Sequence, residues 1–223
     1  MRKHVIIVAG GSGSRMNQVL PKQFIEILGK PIMVHTIEAF LAYDPQIHIV
    51  LVLPEVHMTT WATIKNDFLP DVEVSVAHGG VSRFQSVKAG LQLIEDGLVA
   101  IHDAVRPIIP IEVISKSFEI AEEKGSGIVM VPLKDSIRKK EGDTTMAKDR
   151  SLYYSVQTPQ TFQVSLILKA FEQEESPLFT DDASVYESYG HQVEVVEGDY
   201  GNIKITTPED LILAEALLSR VEK

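Results

Sequence analysis

The feature that most constrains this chain is a regular alternation of short Val- and Ile-rich runs with longer segments of helical periodicity. The apolar runs are nearly continuous, which is typical of parallel strands buried on both faces of a sheet. The sequence predicts strands at 4–9, 47–53, 72–77, 98–102, 127–132 and 193–197. It predicts helices at 31–43, 57–68, 82–95, 110–124, 164–174, 182–189 and 207–221. This order predicts an α/β fold with a doubly wound, mostly parallel open sheet.

Composition narrows the possible partners and sites. The 223 residues suffice for one sizeable core, so we expect a single domain over 1–223. The formal net charge of −10 argues against nucleic acid as a partner, because its phosphates would be repelled. The absence of cysteine excludes disulfides, thiolate nucleophiles and cysteine-bound metals. We find no membrane-spanning run and no signal-peptide core, and therefore expect a soluble, cytoplasmic protein without a membrane partner.

A glycine-rich turn, VAGGSGSRM at 8–16, follows the first predicted strand. Glycines there allow positive φ and let several backbone N–H groups converge on phosphate oxygens. A tight strand-to-helix turn without a ligand is the alternative interpretation. The turn is not a dinucleotide fingerprint, because Met16 stands where that motif needs its third glycine. Nor does Gly29-Lys30 form a P-loop, because Pro31 follows it.

Two cations accompany this turn: Arg15 lies at its end and Lys22 follows it closely. Beside a cradle of backbone amides, they suit a triphosphate whose α-phosphorus is attacked, since negative charge then spreads over the phosphoryl oxygens. For an isolated lysine, a solvated surface charge is the ordinary alternative.

Two further segments place polar residues after predicted strands. In GGVSRFQS at 79–86, the glycine pair permits close approach of the backbone to a planar base, and Ser86 can bond a base or sugar. A capped helix start is the alternative. In HDAVRP at 102–107, Asp103 emerges where ligands of open α/β sheets bind, and could hold a hydroxyl or lie near Mg²⁺. Arg106 could pair with phosphate, or with Asp103 in an internal salt bridge, and we expect His102 to be packed inside.

The polar segment 135–153 interrupts this pattern and contains a turn signal at 141–143. A hairpin arm and a solvated loop are both compatible with it. The remaining polar candidates are Arg150, Thr158, Thr180 and Lys204, whose adjacency cannot be deduced from their spacing.

Taken together, these segments resemble the 2-C-methyl-D-erythritol 4-phosphate cytidylyltransferase family of the non-mevalonate isoprenoid pathway. The resemblance extends over nearly the whole chain through nine motifs in family order: AGGSGSRM, PKQF, LGKP, GGVSRFQSV, HDAVRP, KDSI, QTPQTF, TDDAS and GNIKITTPEDL. It implies a Rossmann-like nucleotidyltransferase fold with a protruding arm. The departures are small: Val-Ala-Gly-Gly replaces the more usual Ala-Ala-Gly, Asn17 stands where Gly is usual, and Ser136 where Thr is common.

The resemblance also implies residue roles. Arg15 and Lys22 would stabilise the transition state, and Arg150 and Lys204 would position the attacking phosphate. The implied nucleotide-binding residues are Ala9, Gly10, Gly11, Ser12, Gly13, Arg15, Lys22, Gly79, Gly80, Ser86, Asp103 and Ala104. The implied substrate-binding residues are Asp103, Arg106, Ser136, Arg150, Thr158, Thr180 and Lys204.

The implied reaction transfers CMP from CTP to 2-C-methyl-D-erythritol 4-phosphate and releases pyrophosphate. A sister family acts on D-ribitol 5-phosphate and remains the alternative, although TDDAS and KDSI favour the first. The resemblance further implies Mg²⁺, held mainly through the CTP triphosphate, and a homodimer. Residues 135–153 would form the dimerisation arm, so that Arg150 could serve the neighbouring active site.

Overall fold

The computed structural model describes residues 1–10 and 21–221, with the side chain of residue 221 excepted. Short 3₁₀ helices at Lys22–Phe24, Glu55–His57 and Arg150–Leu152 accompany the strands and α-helices. The strands are β1 (Lys3–Val8), β2 (Glu26–Ile27), β3 (Lys30–Pro31), β4 (His48–Leu53), β5 (Val74–His78), β6 (Leu98–Asp103), β7 (Ser126–Pro132), β8 (Ile137–Glu141), β9 (Thr144–Lys148), β10 (Tyr154–Gln163) and β11 (Val195–Glu197). The α-helices are α1 (Ile32–Tyr43), α2 (Met58–Phe68), α3 (Arg83–Leu91), α4 (Ile111–Lys124), α5 (Val164–Ala170), α6 (Asp182–Ser188) and α7 (Pro208–Val221).

Of the described strands, seven form the central sheet in the order β11-β7-β10-β6-β1-β4-β5. The pairs β1–β4, β1–β6, β4–β5 and β11–β7 are parallel, whereas β10 runs antiparallel to both of its neighbours. Helices cover both faces of this sheet. The predicted doubly wound, mostly parallel α/β fold is thus confirmed.

The core lies on both faces of the sheet because successive side chains of a strand point to opposite sides. Val5 and Ile7 of β1 belong to one buried cluster, which α1, α2 and α4 complete with Phe40, Trp61 and Phe118. On the opposite face, Ile6 belongs to a second buried cluster with Phe84, Phe162 and Tyr186 from α3, β10 and α6. The near-continuous apolar strands are therefore buried on both faces of the sheet, as their sequence predicts.

Two helix starts are stabilised by local hydrogen bonds. Ser82 caps α3 by accepting a hydrogen bond from the backbone N–H of Gln85 at 3.1 Å. Pro208 is the first residue of α7, and the backbone N–H of Thr207 donates to Asp210 at 2.9 Å. The predicted helix at 82–95 is too long, since α3 ends at Leu91 and the following residues form turns.

The sequence did not predict β10, which lies inside the sheet between β7 and β6. Its segment contains Pro159, which lacks an N–H, and the register of the β10–β7 pair shifts between Val156 and Gln160. Its polar side chains at Gln157, Thr158, Gln160 and Thr161 are nevertheless buried. A run of this kind has neither the apolar continuity nor the alternation that identifies a strand.

The carboxyl ends of the central parallel strands meet at one edge of the sheet. Val8 is the register partner of both Val52 and Asp103, so β1, β4 and β6 end level with one another. Gly79, just after β5, lies beside the end of β4, because its N–H donates to the carbonyl of Leu53 at 2.8 Å. Segments that follow these strands therefore converge on a common space.

Gly127 of β7 is essential for the contact between the sheet and α4. A Cβ built at Gly127 would lie 2.4 Å from the carbonyl oxygen of the buried Ser117. We expect Gly127→Ala to lower the free energy of unfolding by about 1–3 kcal/mol, because α4 must shift to admit the methyl group. Urea or thermal denaturation measures the change, and a midpoint equal to that of the unsubstituted protein would contradict this packing.

Candidate functional site

A pocket opens where the carboxyl ends of β1 and β6 meet the start of α3. It is lined by Ala9 and Gly10 after β1 and by Asp103, Ala104 and Val105 at the end of β6. The polar residues Lys22, Arg83, Ser86 and Lys204 also line it. The parallel strands thus bring together residues from distant stretches of the chain.

Gln23 fixes the backbone beside the glycine turn. Its side chain is only 2% exposed, and its amide nitrogen donates to the carbonyl oxygen of Ala9 at 2.8 Å. Lys22 precedes it in the 3₁₀ helix and lines the same pocket. Within the PKQF motif, the glutamine therefore fixes the backbone that follows β1, and the lysine lines the pocket.

The hydroxyl of Ser86 sits between two glycines. A Cβ built at Gly79 would lie 3.2 Å from Ser86 Oγ, and one built at Gly10 would lie 3.4 Å from it. At Gly80, a Cβ would lie 2.4 Å from the Cβ of Gln85. Ser86 Oγ donates to the carbonyl of Ser82 at 2.8 Å, so its lone pairs remain able to accept. A side chain at Gly80 would collide with α3 and one at Gly79 would crowd Ser86, because the backbone approaches α3 closely here.

Asp103 is the electrostatic centre of the pocket. Its Oδ2 lies 2.9 Å from Lys204 Nζ and 3.3 Å from Arg106 Nε. Its backbone N–H donates to Thr158 Oγ1 at 3.1 Å. Burial disfavours the charged carboxylate, but the positive charges of Lys204, Arg83 and Arg106 outweigh burial and hold the pKa of Asp103 well below its ordinary value.

Arg106 and Asn202 attach this centre to the chain that carries Lys204. Arg106 Nη1 donates to the carbonyl oxygen of Asn202 at 2.7 Å. Asn202 in turn donates from its amide to the carbonyl of Thr158 at 2.8 Å. The internal Asp103–Arg106 salt bridge considered from the sequence is therefore present, and it lies at the pocket.

A second ion pair borders the pocket on the side of α3. Arg83 donates two hydrogen bonds to Asp182, one to each carboxylate oxygen, both at 2.6 Å. The pKa of Arg83, which burial alone would lower, is raised by the nearby carboxylates of Asp182, Asp103 and Asp181. Burial raises the pKa of Asp182, and the charge and hydrogen bonds of Arg83 counteract this effect. Arg83 was not predicted from the sequence, although its place between the glycine pair and Ser86 was a usable signal.

The pocket is suited to anions and not to base catalysis. Lys22, Lys204, Arg83 and Arg106 supply positive charge around one central carboxylate. His102 is fully buried, as expected, and burial lowers its pKa to about 4, so it is neutral at pH 7. Within residues 1–10 and 21–221, no three His, Asp or Glu side chains lie close enough together to hold a metal ion. A metal there would need ligands from a bound anion and water.

The structure gathers some of the predicted site residues and separates others. Those lining the pocket are Ala9, Gly10, Lys22, Gly80, Ser86, Asp103, Ala104 and Lys204. Those packed directly against a lining residue are Gly79, Arg106 and Thr158. Gly11, Ser12, Gly13 and Arg15 lie outside the described residues.

Three further predicted substrate-binding residues also do not line the pocket. Ser136 is exposed just before β8, and Arg150 is exposed and donates to the carbonyl oxygen of Lys134. Thr180 borders a small neighbouring cavity, whose wall also includes Arg83 and Asp182. Ser136 and Arg150 belong to the segment 135–153, and Thr180 precedes α6, so all three lie outside the strand ends that form the pocket.

Comparisons with known proteins agree with one another. The family model described as IspD, 2-C-methyl-D-erythritol 4-phosphate cytidylyltransferase, matches residues 3–220. The enzyme of that name from Bacteroides thetaiotaomicron is 46% identical over 98% of this chain and 100% of its own length. Its counterpart from Bacillus velezensis is 40% identical over 96% of this chain and 94% of its own. The crystal structure of 4-diphosphocytidyl-2C-methyl-D-erythritol synthase from Anaerococcus prevotii superposes with a TM-score of 0.83 at 29% identity, covering 98% of this chain and 99% of that one.

The ion pairs of Asp103 predict a specific dependence of stability on pH. Because the pKa of Asp103 is lowered by folding, its contribution is full above its unfolded pKa of about 4 and is lost as pH falls below it. We expect Asp103→Asn to lower the free energy of unfolding at pH 7 by about 3 kcal/mol, since it leaves buried Arg106 without its carboxylate partner. Between pH 5 and about pH 3, we also expect the free energy of unfolding to fall less in Asp103→Asn than in the unsubstituted protein.

Urea denaturation at several pH values measures both effects. Asp67→Asn, at an exposed position of α2, is the control and should follow the unsubstituted protein at each pH. Equal acid sensitivity of Asp103→Asn and the unsubstituted protein would contradict the assignment.

Proposed function

Since this chain belongs to the 2-C-methyl-D-erythritol 4-phosphate cytidylyltransferase family, we propose that the pocket at Asp103 is where it transfers CMP from CTP to 2-C-methyl-D-erythritol 4-phosphate. The chain is thus a cytidylyltransferase of isoprenoid biosynthesis, and its products are 4-diphosphocytidyl-2-C-methyl-D-erythritol and pyrophosphate. The observation that carries the assignment to this pocket is the meeting of Lys22, Ser86, Asp103 and Lys204 at the carboxyl ends of β1 and β6.

The nucleotide side of the pocket is the wall between β1 and α3. We assign the triphosphate to the backbone after β1, with Lys22 beside it, and the cytosine and ribose to Gly79, Gly80 and Ser86. Gly80 and Ser86 both line the pocket, and the glycines let the backbone lie close to α3 beside Ser86, which supports this division. Gly11, Ser12, Gly13 and Arg15 are proposed to complete the triphosphate site.

The alcohol phosphate is assigned to the opposite side, around Asp103, Arg106, Thr158 and Lys204. An oxygen of its phosphate attacks the α-phosphorus of CTP, forming one P–O bond while the bond from that phosphorus to the bridging oxygen breaks and pyrophosphate leaves. This phosphate is largely dianionic at pH 7, since its second pKa is about 6, and it requires no base. The neutral, buried His102 is consistent with a mechanism that needs none.

Catalysis then consists of holding two anions together. Lys204 Nζ lies 2.9 Å from Asp103, and this contact orients a lysine whose side chain is otherwise 41% exposed. We propose that Lys204 and Lys22 approach the reacting phosphates from opposite sides and neutralise their repulsion. Asp103 limits where the lysine can stand and is available to accept from a substrate hydroxyl.

We propose Mg²⁺ as the metal. The family is one of nucleotidyltransferases, and the pocket offers Asp103 as its carboxylate, already paired with two cations. A hard cation would therefore be held chiefly by triphosphate oxygens and water. When bound, it would neutralise charge on the triphosphate and its leaving group.

We also propose that the chain works as one nucleotidyltransferase domain over 1–223, assembled as a homodimer through an arm at 135–153. The β8–β9 hairpin of this arm is mostly exposed. The neighbouring Leu152, Tyr153 and Tyr154 are 77%, 43% and 49% exposed, an apolar surface suited to a partner chain. Arg150 and Ser136 would then serve the pocket of the partner. We place the enzyme in the cytoplasm; along the described chain no helix is long and apolar enough to cross a membrane.

The reaction itself is tested by measuring pyrophosphate release. The purified protein is supplied with 2-C-methyl-D-erythritol 4-phosphate or D-ribitol 5-phosphate, each with CTP, ATP, GTP and UTP in turn. We expect turnover with CTP and the methylerythritol phosphate. Lys22→Ala is expected to remain folded and to lose at least about 100-fold in kcat, because a cation at the reacting phosphates is gone. Preference for ribitol phosphate would overturn the substrate, and full activity of Lys22→Ala would overturn the site.

Trans action of the arm is tested by mixing two inactive variants. Lys22→Ala removes a residue of a chain's own pocket, whereas Arg150→Ala removes a residue proposed to serve the partner. If Arg150 acts in trans, each mixed dimer contains one intact site, and subunit exchange should restore about one quarter of the unsubstituted activity. Sedimentation velocity verifies the dimer. No recovery in verified mixed dimers would contradict exchange of the arm.

A further inference from the structure

We propose that Arg83 and Asp182 form a positioning pair that fixes the nucleotide side of the pocket relative to the alcohol-phosphate side. The inference deepens the proposed function and rests on it. The two residues lie 99 positions apart in the chain, and we propose that they act through the geometry of the pocket and not by contact with a reacting atom.

The Arg83–Asp182 pair is shorter and more buried than an ordinary surface ion pair. Both nitrogen–oxygen distances are 2.6 Å, and the Asp182 side chain is 1% exposed. A guanidinium fork on a carboxylate fixes distance and angle together, which a single ammonium cannot do. The pair therefore defines where the first residue of α3 stands relative to the first residue of α6.

Each residue of the pair is close in sequence to residues assigned to one side of the site. On the α3 side, Arg83 follows Gly80 and Ser82 in the pocket wall and precedes Ser86 by three residues. On the α6 side, Asp182 lies two residues after Thr180, which the resemblance assigns to the alcohol phosphate. Thr180, Arg83 and Asp182 border the same small cavity.

The start of α6 is itself held rigidly to β10. Asp181 caps the helix by accepting from the N–H of Ser184 at 2.9 Å, and it also accepts from the amide of Gln160 at 2.9 Å. Gln160 Oε1 accepts from the N–H of Ala183 at 2.8 Å. Because Gln160 and Thr158 belong to the same strand, a shift of α6 would be transmitted to the residues around Asp103.

Asp182 provides the distinguishing measurement, because it does not line the pocket at Asp103. A residue that only stabilises the fold would change the melting temperature and leave the affinity of the folded protein for CTP unaltered. A positioning residue would weaken CTP binding from a distance, and to the same extent as its partner. The two substitutions would also fail to add, since either one abolishes the same contact.

The experiment measures CTP affinity by calorimetry and steady-state kinetics for Arg83→Gln, Asp182→Asn and the double variant, each well below its unfolding midpoint. We expect each single variant to weaken CTP binding and to lower kcat/KM for both substrates by about 10- to 100-fold, with the double variant no worse than either. Arg83→Lys retains a positive charge for folding, and should still lose CTP affinity because it lacks the fork.

Lys124→Gln, which breaks the surface pair with Glu194 at 3.3 Å, is the matched control and should leave all of these quantities unchanged. Unaltered CTP affinity in folded Asp182→Asn or Arg83→Lys would overturn the proposal, as would additive losses in the double variant. Absence of turnover in the unsubstituted protein would overturn the proposed function instead, while the calorimetric comparison would still decide whether the pair positions the nucleotide side.

Discussion

The ion pairs of Asp103 are the interaction on which the site depends. A carboxylate at the end of a buried strand is costly to ionise, and here Lys204 and Arg106 supply the compensation. The carboxylate in turn holds cations from two loops close together where β6 ends. Thr158 and Asn202 connect these groups by hydrogen bonds to backbone. An anion-binding pocket in an acidic protein is thus made from a local arrangement that the net charge of −10 does not reveal.

Much of the fold could be predicted because its strands have a clear sequence pattern. The runs that form β1, β4 and β6 are continuous in apolar residues, since helices cover both of their faces. β10 could not be predicted on the same grounds. Its buried polar side chains are acceptable because Gln157, Thr158 and Gln160 find partners on other segments, and those partners are known only once the chain is folded.

The site shows the same division. Glycine turns and a carboxylate at the end of a strand are local patterns, and they identify Gly10, Gly80 and Asp103 from the amino-acid sequence alone. The approach of Lys204 to Asp103 spans 101 positions and follows from no spacing. No separate role for Arg83 was predicted from the sequence, because the Ser82 cap already accounts for the helix start at this position. A capping signal and a buried ion pair share that segment, and only the second requires a distant residue.

The position of β10 also constrains when β7 can join the sheet during synthesis. β10 lies between β6 and β7, although it is synthesised after both of them. β1, β4, β5 and β6 can pair with one another once their residues are available, whereas β7 reaches that group only through β10. A nascent chain ending near residue 150 consequently exposes an open strand edge on β6, made of main-chain groups awaiting a partner. Such an intermediate, and not the finished protein, is where this topology is most vulnerable to self-association.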